Sequence, residues 1–568
     1  MLGRRVHARH TEAFEVRVEA SKLAFINPHP DHLNNGEEAQ YRTPSPAGPL
    51  SYIANYSKAL PHNLIGEVRP AAYRALLRAL DSENPDDFEQ VPLGLPASGR
   101  RLTNPQAGLA FDLEGPDAHA LAIPPVPRID RPQNSAEMAE LYWMALLRDV
   151  SFRDYGTGAG TDGGPNNTVD AAASLTNDFT AFTGPRDPAG NVTPATLFRG
   201  IAPGDGVGPY VSQFLLIGNA DPALNLTPQD GFISYGTLKI DQRQKTAKTG
   251  TDYLTRFEVP SPPVFPVPTN WRDAQNGADY RGQDQFDTTR QFIRNLRDLA
   301  TYVHFDALYE AYLNACLVLL GMNAPFDPRN SYVDARVQDG FGTFGAPHIL
   351  SLVAEVATRA LKAVWFQKWS VHRRLRPEEL GGRIHVHLQG LPARPGRLAV
   401  PPGRYPMIDP EILNVNPGSV LARIRNHNNA SFGNDTFLLP QAFPEGCPTH
   451  PAYGAGHATV AGACVSILKA WFDESFVLPG PVFEADAAGT TLVPIASPAL
   501  TVGGELNKLA ANIAIGRNAA GVHWRSDYTE SLRLGEEIAI GILKEQRLTY
   551  NENHHFTLTR FDSTAITI

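Results

Sequence analysis

Two histidines seven residues apart, His450 and His457, flank Pro451, Gly454 and Gly456 in a stretch dense with turn residues. These punctuators hold the chain out of a helix until about His457. From Ala458 to Phe472 the apolar positions 460, 461, 464, 465, 468, 471 and 472 recur at helical spacing. The amides of Gly456 and His457 therefore fall at or near a helix N-terminus, where donors lack intrahelical partners and the dipole favours an anion. This pattern suits an oxyanion cradle with two imidazoles beside it. A plain loop carrying two surface histidines would have the same local sequence, so the remaining basic residues must decide.

Lys368 and Arg376 lie eight residues apart, with His372 between them, on a predicted helix that ends before Pro377. Eight residues is a little over two turns, so both cations are expected on one broad face. Alone, such a pair is more often a solvated stripe. A third group is Arg517 and His523 around a small-residue turn, with Asp527 four residues after the histidine. If a helix has begun there, the carboxylate can accept from one imidazole nitrogen. That fixes the tautomer and leaves the other nitrogen as nucleophile or ligand.

The order Lys-x7-Arg-Pro, then Gly-His at a helix start, then Arg-x5-His-x3-Asp resembles the superfamily joining vanadium-dependent haloperoxidases to acid and phosphatidic-acid phosphatases. Three stretches, Asn134–Trp143, Lys368–Arg373 and Pro448–Pro451, resemble its bromoperoxidase branch, and the resemblance runs from about residue 130 to 545. It implies vanadate as cofactor, with His523 bonded to vanadium and oriented by Asp527. It also implies that Lys368, Arg376, Arg517 and the Gly456 amide hold the oxo groups. His457 and His450 correspond to the acid–base histidines, and Trp365 to the halide side. Hydrogen peroxide, bromide or iodide and a small organic acceptor are the implied substrates, and a homo-oligomer (a dimer or an assembly of dimers) the implied state. A phosphatase with a phosphohistidine at His523, or a non-catalytic anion-binding oligomer, would use the same residues.

One position departs from the pattern. The family's motif has serine before Gly-His, and here Ala455 stands there. A hydrogen bond to a charged group contributes roughly 1.5–3 kcal/mol, so the missing hydroxyl is expected to weaken vanadate binding by about ten- to a hundred-fold.

The elements that must carry these residues are mostly helical. Helices are expected at Ala136–Val150, with Asn134 as cap and Glu137 in a capping box, and at Asp170–Phe182, Thr288–Tyr302, Phe305–Leu320, Pro347–Arg376, Ala458–Asp473, Gly504–Gly516 and Ser526–Gln546. The only extended piece expected before the tail is Gly231–Ile240, and the last twenty residues suit a hairpin or a tail. The fold class is thus mainly α, two four-helix bundles with long loops and little β. The arm 1–133 is loop-rich with short helices such as Ala71–Leu80, the catalytic domain spans 134–546, and 547–568 is a tail. The glycine-rich run Tyr155–Gly164 lacks the Lys-Ser/Thr of a phosphate-binding loop and is expected to be a flexible loop.

Composition agrees with a globular protein: 568 residues, 42% hydrophobic and 19% charged. A net charge of -9 without a basic run argues against nucleic-acid binding. Three cysteines are too few for a disulfide framework, and Cys316, in an apolar helical pattern, is expected to be a buried thiol. The charged N-terminus lacks the apolar core of a secretory signal, and the longest apolar run, Ala311–Met322, is too short to span a bilayer. No membrane association is expected, and a cytoplasmic setting is the default with the compartment left open.

Overall fold

A computed structural model describes residues 2–26, 29–157, 167–259 and 267–568. Most of the glycine-rich run at 155–164 lies outside the described residues. Among these, twelve helices of ten residues or more account for the architecture. The first six are α1 (Leu2–Ile26), α2 (Pro70–Ser82), α3 (Pro132–Leu146), α4 (Asn167–Asn177), α5 (Leu296–Phe305) and α6 (Glu310–Gly321). They are followed by α7 (Ala346–Phe366), α8 (Pro377–Gln389), α9 (Val420–Phe432), α10 (Gly456–Trp471), α11 (Val502–Ala519) and α12 (Arg525–Arg547). The strands form three antiparallel pairs: β1 (Phe232–Tyr235) with β2 (Leu238–Asp241), β3 (Val482–Ala485) with β4 (Leu492–Ile495), and β5 (Thr557–Thr559) with β6 (Ala565–Thr567). The expected mainly helical class with little β is what is found.

Helix α10 is the centre of the molecule. It packs on α12, α7 and α11, while α11 packs on α5. Every residue of α10 except His457 is buried, as expected for a helix that is apolar nearly all round. Its crossing with α12 is set by two glycines. A Cβ on Gly462 would sit 2.1 Å from the Leu532 carbonyl oxygen, and one on Gly535 would sit 2.0 Å from that of Thr459. Only glycine permits backbones this close. The close crossing brings α12, whose first turn carries Asp527, against the helix that starts at Gly456.

Several boundaries differ from the sequence expectation, each for a local reason. Helix α3 begins at Pro132, which takes the first helical position, so Asn134 lies inside it and is not its cap. Glu137 accordingly makes no capping box and reaches Arg374 instead. Helix α5 begins only at Leu296, because the Asn295 side chain caps it by accepting from the Asp298 amide at 2.9 Å. The expected Pro347–Arg376 helix leaves α geometry at Gln367 and winds as a π-turn to His372. Pro377 then starts α8 rather than simply ending its predecessor, with Glu379 accepting from the Arg376 amide at 2.8 Å. Helices α1, α8 and α9 and the pair β3–β4 were not expected, and α1, at 25 residues, is longer than the short helices expected of the 1–133 arm.

The N-terminal segment is threaded into the core. Lys58 is fully buried and its ammonium lies 2.8 Å from Glu378 Oε1, while the Ser57 hydroxyl donates to Glu379 at 2.9 Å. All three cysteines are buried and free. Among the described residues no single helix is long and apolar enough to cross a membrane.

Candidate active site

Lys368, Arg376, Arg517 and His523 converge at the N-terminus of α10. Lys368 sits in the π-turn after α7, and Arg376 lies beyond it in extended backbone (φ -82°, ψ 154°) at the cap of α8. The two cations therefore do not share a helix face, as their spacing suggested. The wider turn and the extended step aim both at the loop carrying His450 to Gly456. His372, between them in sequence, reaches the same loop but packs on it without a hydrogen bond: its ring meets Tyr453 edge-on at 4.7 Å, and burial pushes its pKa down to about 3.

The Lys368 ammonium donates to the carbonyls of Pro451 (2.8 Å), Ala452 (3.1 Å) and Gly454. Arg376 donates to the carbonyls of His450 (2.9 Å) and Val522 (2.7 Å), and its other terminal nitrogen reaches His450 Nδ1 at 2.8 Å. Arg517, in the last turn of α11, donates to the Val303 carbonyl at 2.9 Å, and its buried Nε has no hydrogen-bond partner. Trp365, half-buried, places its ring 4.9 Å from that of His450 and against Gly456, where an added Cβ would meet it at 3.1 Å. The indole N–H donates to the Thr103 carbonyl at 3.2 Å, so the N-terminal segment forms one wall. That segment is pinned by Thr103 N–H to the Thr449 carbonyl (2.9 Å) and by Arg100 to the Cys447 carbonyl (3.0 Å).

His523 lies at the turn between α11 and α12. Its Nδ1 faces Asp527 Oδ2 at 2.9 Å and its Nε2 faces an Arg376 nitrogen at 3.1 Å. A carboxylate accepts and a guanidinium donates, so Nδ1 carries the proton and Nε2 keeps its lone pair. His450 Nδ1 lies 2.8 Å from Arg376 and 3.2 Å from the Pro451 carbonyl; the shorter contact, with a group that can only donate, makes Nδ1 an acceptor and leaves the proton on Nε2. Asp527 is itself held by Arg374 (2.8 Å) and the Trp524 amide (3.0 Å), and Arg374 also binds Glu137 at 2.9 Å.

Helix α10 begins at Gly456, and its first i→i−4 bond is donated by Thr459 to the Ala455 carbonyl at 2.9 Å. The amides of Gly456, His457 and Ala458 thus precede the helical ladder. Ala455 occupies the cap with no side-chain hydrogen bond, and its own amide donates to the Ser531 hydroxyl at 2.8 Å. His457, the one partly exposed residue of the helix, has Nε2 3.1 Å from Asp306 Oδ1, at the end of α5.

The electrostatics are unusual in one respect. Lys368, Arg376 and Arg517 are all buried, and none pairs with a carboxylate among the described residues. Arg525, Arg148 and Lys58, equally buried, each pair with a carboxylate, and Arg374 pairs with two. Burial, then the neighbouring Arg376 charge, holds Lys368 well below the ordinary lysine value and Arg517 down to about 10. Burial and the same cations also push His450 and His523 well below the ordinary imidazole value, and burial lowers His457 despite Asp306. An uncompensated buried charge costs several kcal/mol. Three together, with an orphaned guanidinium N–H and a neutral imidazole lone pair beside them, fit a compact oxyanion such as vanadate.

The sequence pointed to Lys368, Arg376, Ala455, Gly456, His457, Arg517, His523, Asp527, His450 and Trp365, and the structure gathers them around this one locus. It missed Asp306, Arg374, Glu137 as an ion partner, Ser531 and Thr103. The cluster His372-Arg373-Arg374-x-Arg376 was a signal for Arg374, because so many cations beside apolar sequence need buried anions. Asp306 gave no local signal.

This arrangement of a helical core and a carboxylate-poor cationic cradle with a histidine at its edge defines an oxyanion-binding protein. The comparisons narrow the class. Residues 426–551 match the family model for the second helical-bundle domain of vanadium chloroperoxidase. The chain is 42% identical, over an alignment 619 positions long with gaps, to the vanadium-dependent bromoperoxidase of Corallina officinalis, covering 99% of each, and equally to that of Corallina pilulifera. It is 33% identical to the vanadium-dependent bromoperoxidase of Ascophyllum nodosum, over 98% of this chain and 92% of the other. The homohexameric structure of a second vanadate-dependent bromoperoxidase from Ascophyllum nodosum superposes with a TM-score of 0.83 at 30% identity, covering 99% of this chain and 90% of that one. The chain belongs to the vanadium-dependent bromoperoxidase family.

Proposed function

We propose that this protein is a haloperoxidase that uses bound vanadate and hydrogen peroxide to oxidise bromide and iodide to hypohalite, which then halogenates small organic acceptors. The observation that carries the proposal is the set of three buried cations without carboxylates beside a His523 whose unprotonated Nε2 is met only by an Arg376 N–H at 3.1 Å, a contact that a metal bond could replace. Vanadate would supply Lewis-acid activation of peroxide at a metal that keeps its oxidation state.

The chain's own residues divide the remaining work. Lys368, Arg376 and Arg517, with the Gly456 amide, would hold and neutralise the oxo groups, while Asp527 fixes the His523 ring with Nε2 as the nitrogen that could bind the metal. His457, held by Asp306, is the group that takes up and returns protons, its neutral state favoured by burial. His450, with Nδ1 committed to Arg376, offers its Nε2–H on the side where Trp365 stands, and these two form the halide side. Residues 134–546 form the catalytic unit, and the segment before it contributes the Thr103 wall.

A phosphatase would use the same cradle. The end-to-end similarity to bromoperoxidases, including the segment before residue 130, favours peroxide chemistry. The homohexameric relative supports a homo-oligomer, as do the exposed apolar side chains Phe111 and Leu113. The test is bromination of a phenol dye by peroxide, with the protein stripped of vanadate and then resupplied. Activity that appears only with vanadate supports the proposal, whereas phosphate-ester hydrolysis without bromination refutes it.

A further inference from the structure

Outside the cradle, three potential ligands from separate segments meet: Asp284, His304 and Glu445, with ligand atoms all within 4.8 Å of one another. Glu445 lies on the segment leading to His450, His304 in the last turn of α5, and Asp284 on the loop before that helix. We infer that these residues form a divalent-cation site, suited to zinc, that ties the Asp284 loop to the segment carrying His450.

Glu445 carries the first argument. Its side chain is only 6% exposed, yet Oε2 is buried without a hydrogen-bond partner. Its backbone carbonyl is fixed by the Lys58 ammonium at 2.8 Å, so the residue cannot easily turn outward. A buried carboxylate oxygen left unpaired is costly unless a cation or donor reaches it.

The geometry carries the second. The His304 ring is stacked on Phe443 with centroids 3.7 Å apart and planes within 6°, which fixes the direction of its nitrogens. Nε2 lies 3.2 Å from Glu445 Oε1. In a tetrahedral zinc site with bonds of about 2.0–2.2 Å, neighbouring ligand atoms are roughly 3.3–3.6 Å apart. The observed separation is therefore close to one edge of such a tetrahedron. Asp284, half-buried on a loop and within 4.8 Å of both other ligand atoms, can complete a face by a small inward movement, leaving the fourth position to water.

The chemistry selects the ion. One imidazole with two carboxylates suits zinc, whereas calcium and magnesium favour all-oxygen shells. The site also borders the cradle, since the Glu445 charge acts on Arg517.

The test uses the full chain, dialysed against chelator and then given zinc chloride. After desalting, elemental analysis is expected to find one zinc per chain, with a higher Tm than the metal-free protein. Asp284→Asn, a change on a half-exposed loop that leaves the fold intact, is expected to abolish that retained zinc and its Tm gain without lowering the metal-free Tm. His304→Gln is the second variant and is expected to do the same. A wild type that retains no zinc, so that His304 and Glu445 form an ion pair and nothing more, overturns the inference. Zinc retained equally by both variants also overturns it.

Discussion

Nδ1 of His523 lies 2.9 Å from Oδ2 of Asp527, and this pair decides which imidazole nitrogen is available to a ligand. Asp527 cannot rotate away, because Arg374 and the Trp524 amide grip its two oxygens. Replacing the carboxylate by an amide removes the fixed acceptor and leaves Arg374 short of an anion. Asp527→Asn is expected to lower vanadate affinity or bromination by about ten- to a hundred-fold. Dialysis-measured vanadate binding and initial bromination rates check this, and unchanged values would mean that the pair does not orient His523.

Ala455 caps α10 without a side-chain hydrogen bond. A serine there has two separable effects. As a helix cap it stabilises by roughly 0.5–2 kcal/mol, and as an extra donor near the cradle it tightens vanadate. Ala455→Ser is expected to raise the Tm of the vanadate-free protein and to lower the vanadate Kd by about ten-fold or more, since a charged hydrogen bond contributes roughly 1.5–3 kcal/mol. A higher Tm with an unchanged Kd would show that the hydroxyl acts only as a cap.

His450 faces Trp365 with its Nδ1 engaged by Arg376. If its Nε2–H assists halide oxidation, the harder oxidation must depend on it more. His450→Ala is expected to impair bromide turnover more than iodide turnover, and the wild type to oxidise chloride poorly near neutral pH. Rates with the three halides at one peroxide concentration provide the check. Equal impairment with bromide and iodide would assign His450 another task.

Acid should destabilise the protein through its buried imidazoles. His62 and His372 are pushed down to about 3, and His385 and His554 to about 4, chiefly by burial. Below the ordinary value near 6.5 the unfolded chain binds protons that the folded chain refuses. Their stability contribution is therefore complete above pH 6.5 and is lost as pH falls towards 4. At pH 5 each can cost up to about 2 kcal/mol. Thermal scans from pH 7 to 4 should show Tm falling from just below 6.5, and a flat profile over this window would contradict the burial of these rings.

The helical class and the cation set were legible in the sequence because both are local. Apolar periodicity marks α10, α11 and α12, and Gly456-His457 sits where turn residues yield to that periodicity. What the sequence hid was either non-ideal or distant. The π-turn at Gln367–His372 looks like ordinary helix in spacing, so Lys368 and Arg376 appeared to share a face. Pro377 read as a stop, although proline at a first helical position also serves as a start. Asp306 is 151 residues from His457 and Glu137 is 237 from Arg374. No local spacing encodes such pairs, which depend on how α5 and α3 dock against the core.

The central claim is that His523 Nε2 is the protein atom that binds the metal of a catalytic vanadate. The measurement that tests it most directly is bromination by vanadate-saturated His523→Ala beside the wild type, with circular dichroism to confirm that the helical fold persists. The variant is expected to fold and to keep no more than about one per cent of wild-type bromination, because the metal would lose its bond to the protein and hydrogen bonds would not replace it. A folded variant that keeps a tenth or more of the wild-type rate at saturating vanadate would show that His523 Nε2 does not bind the metal.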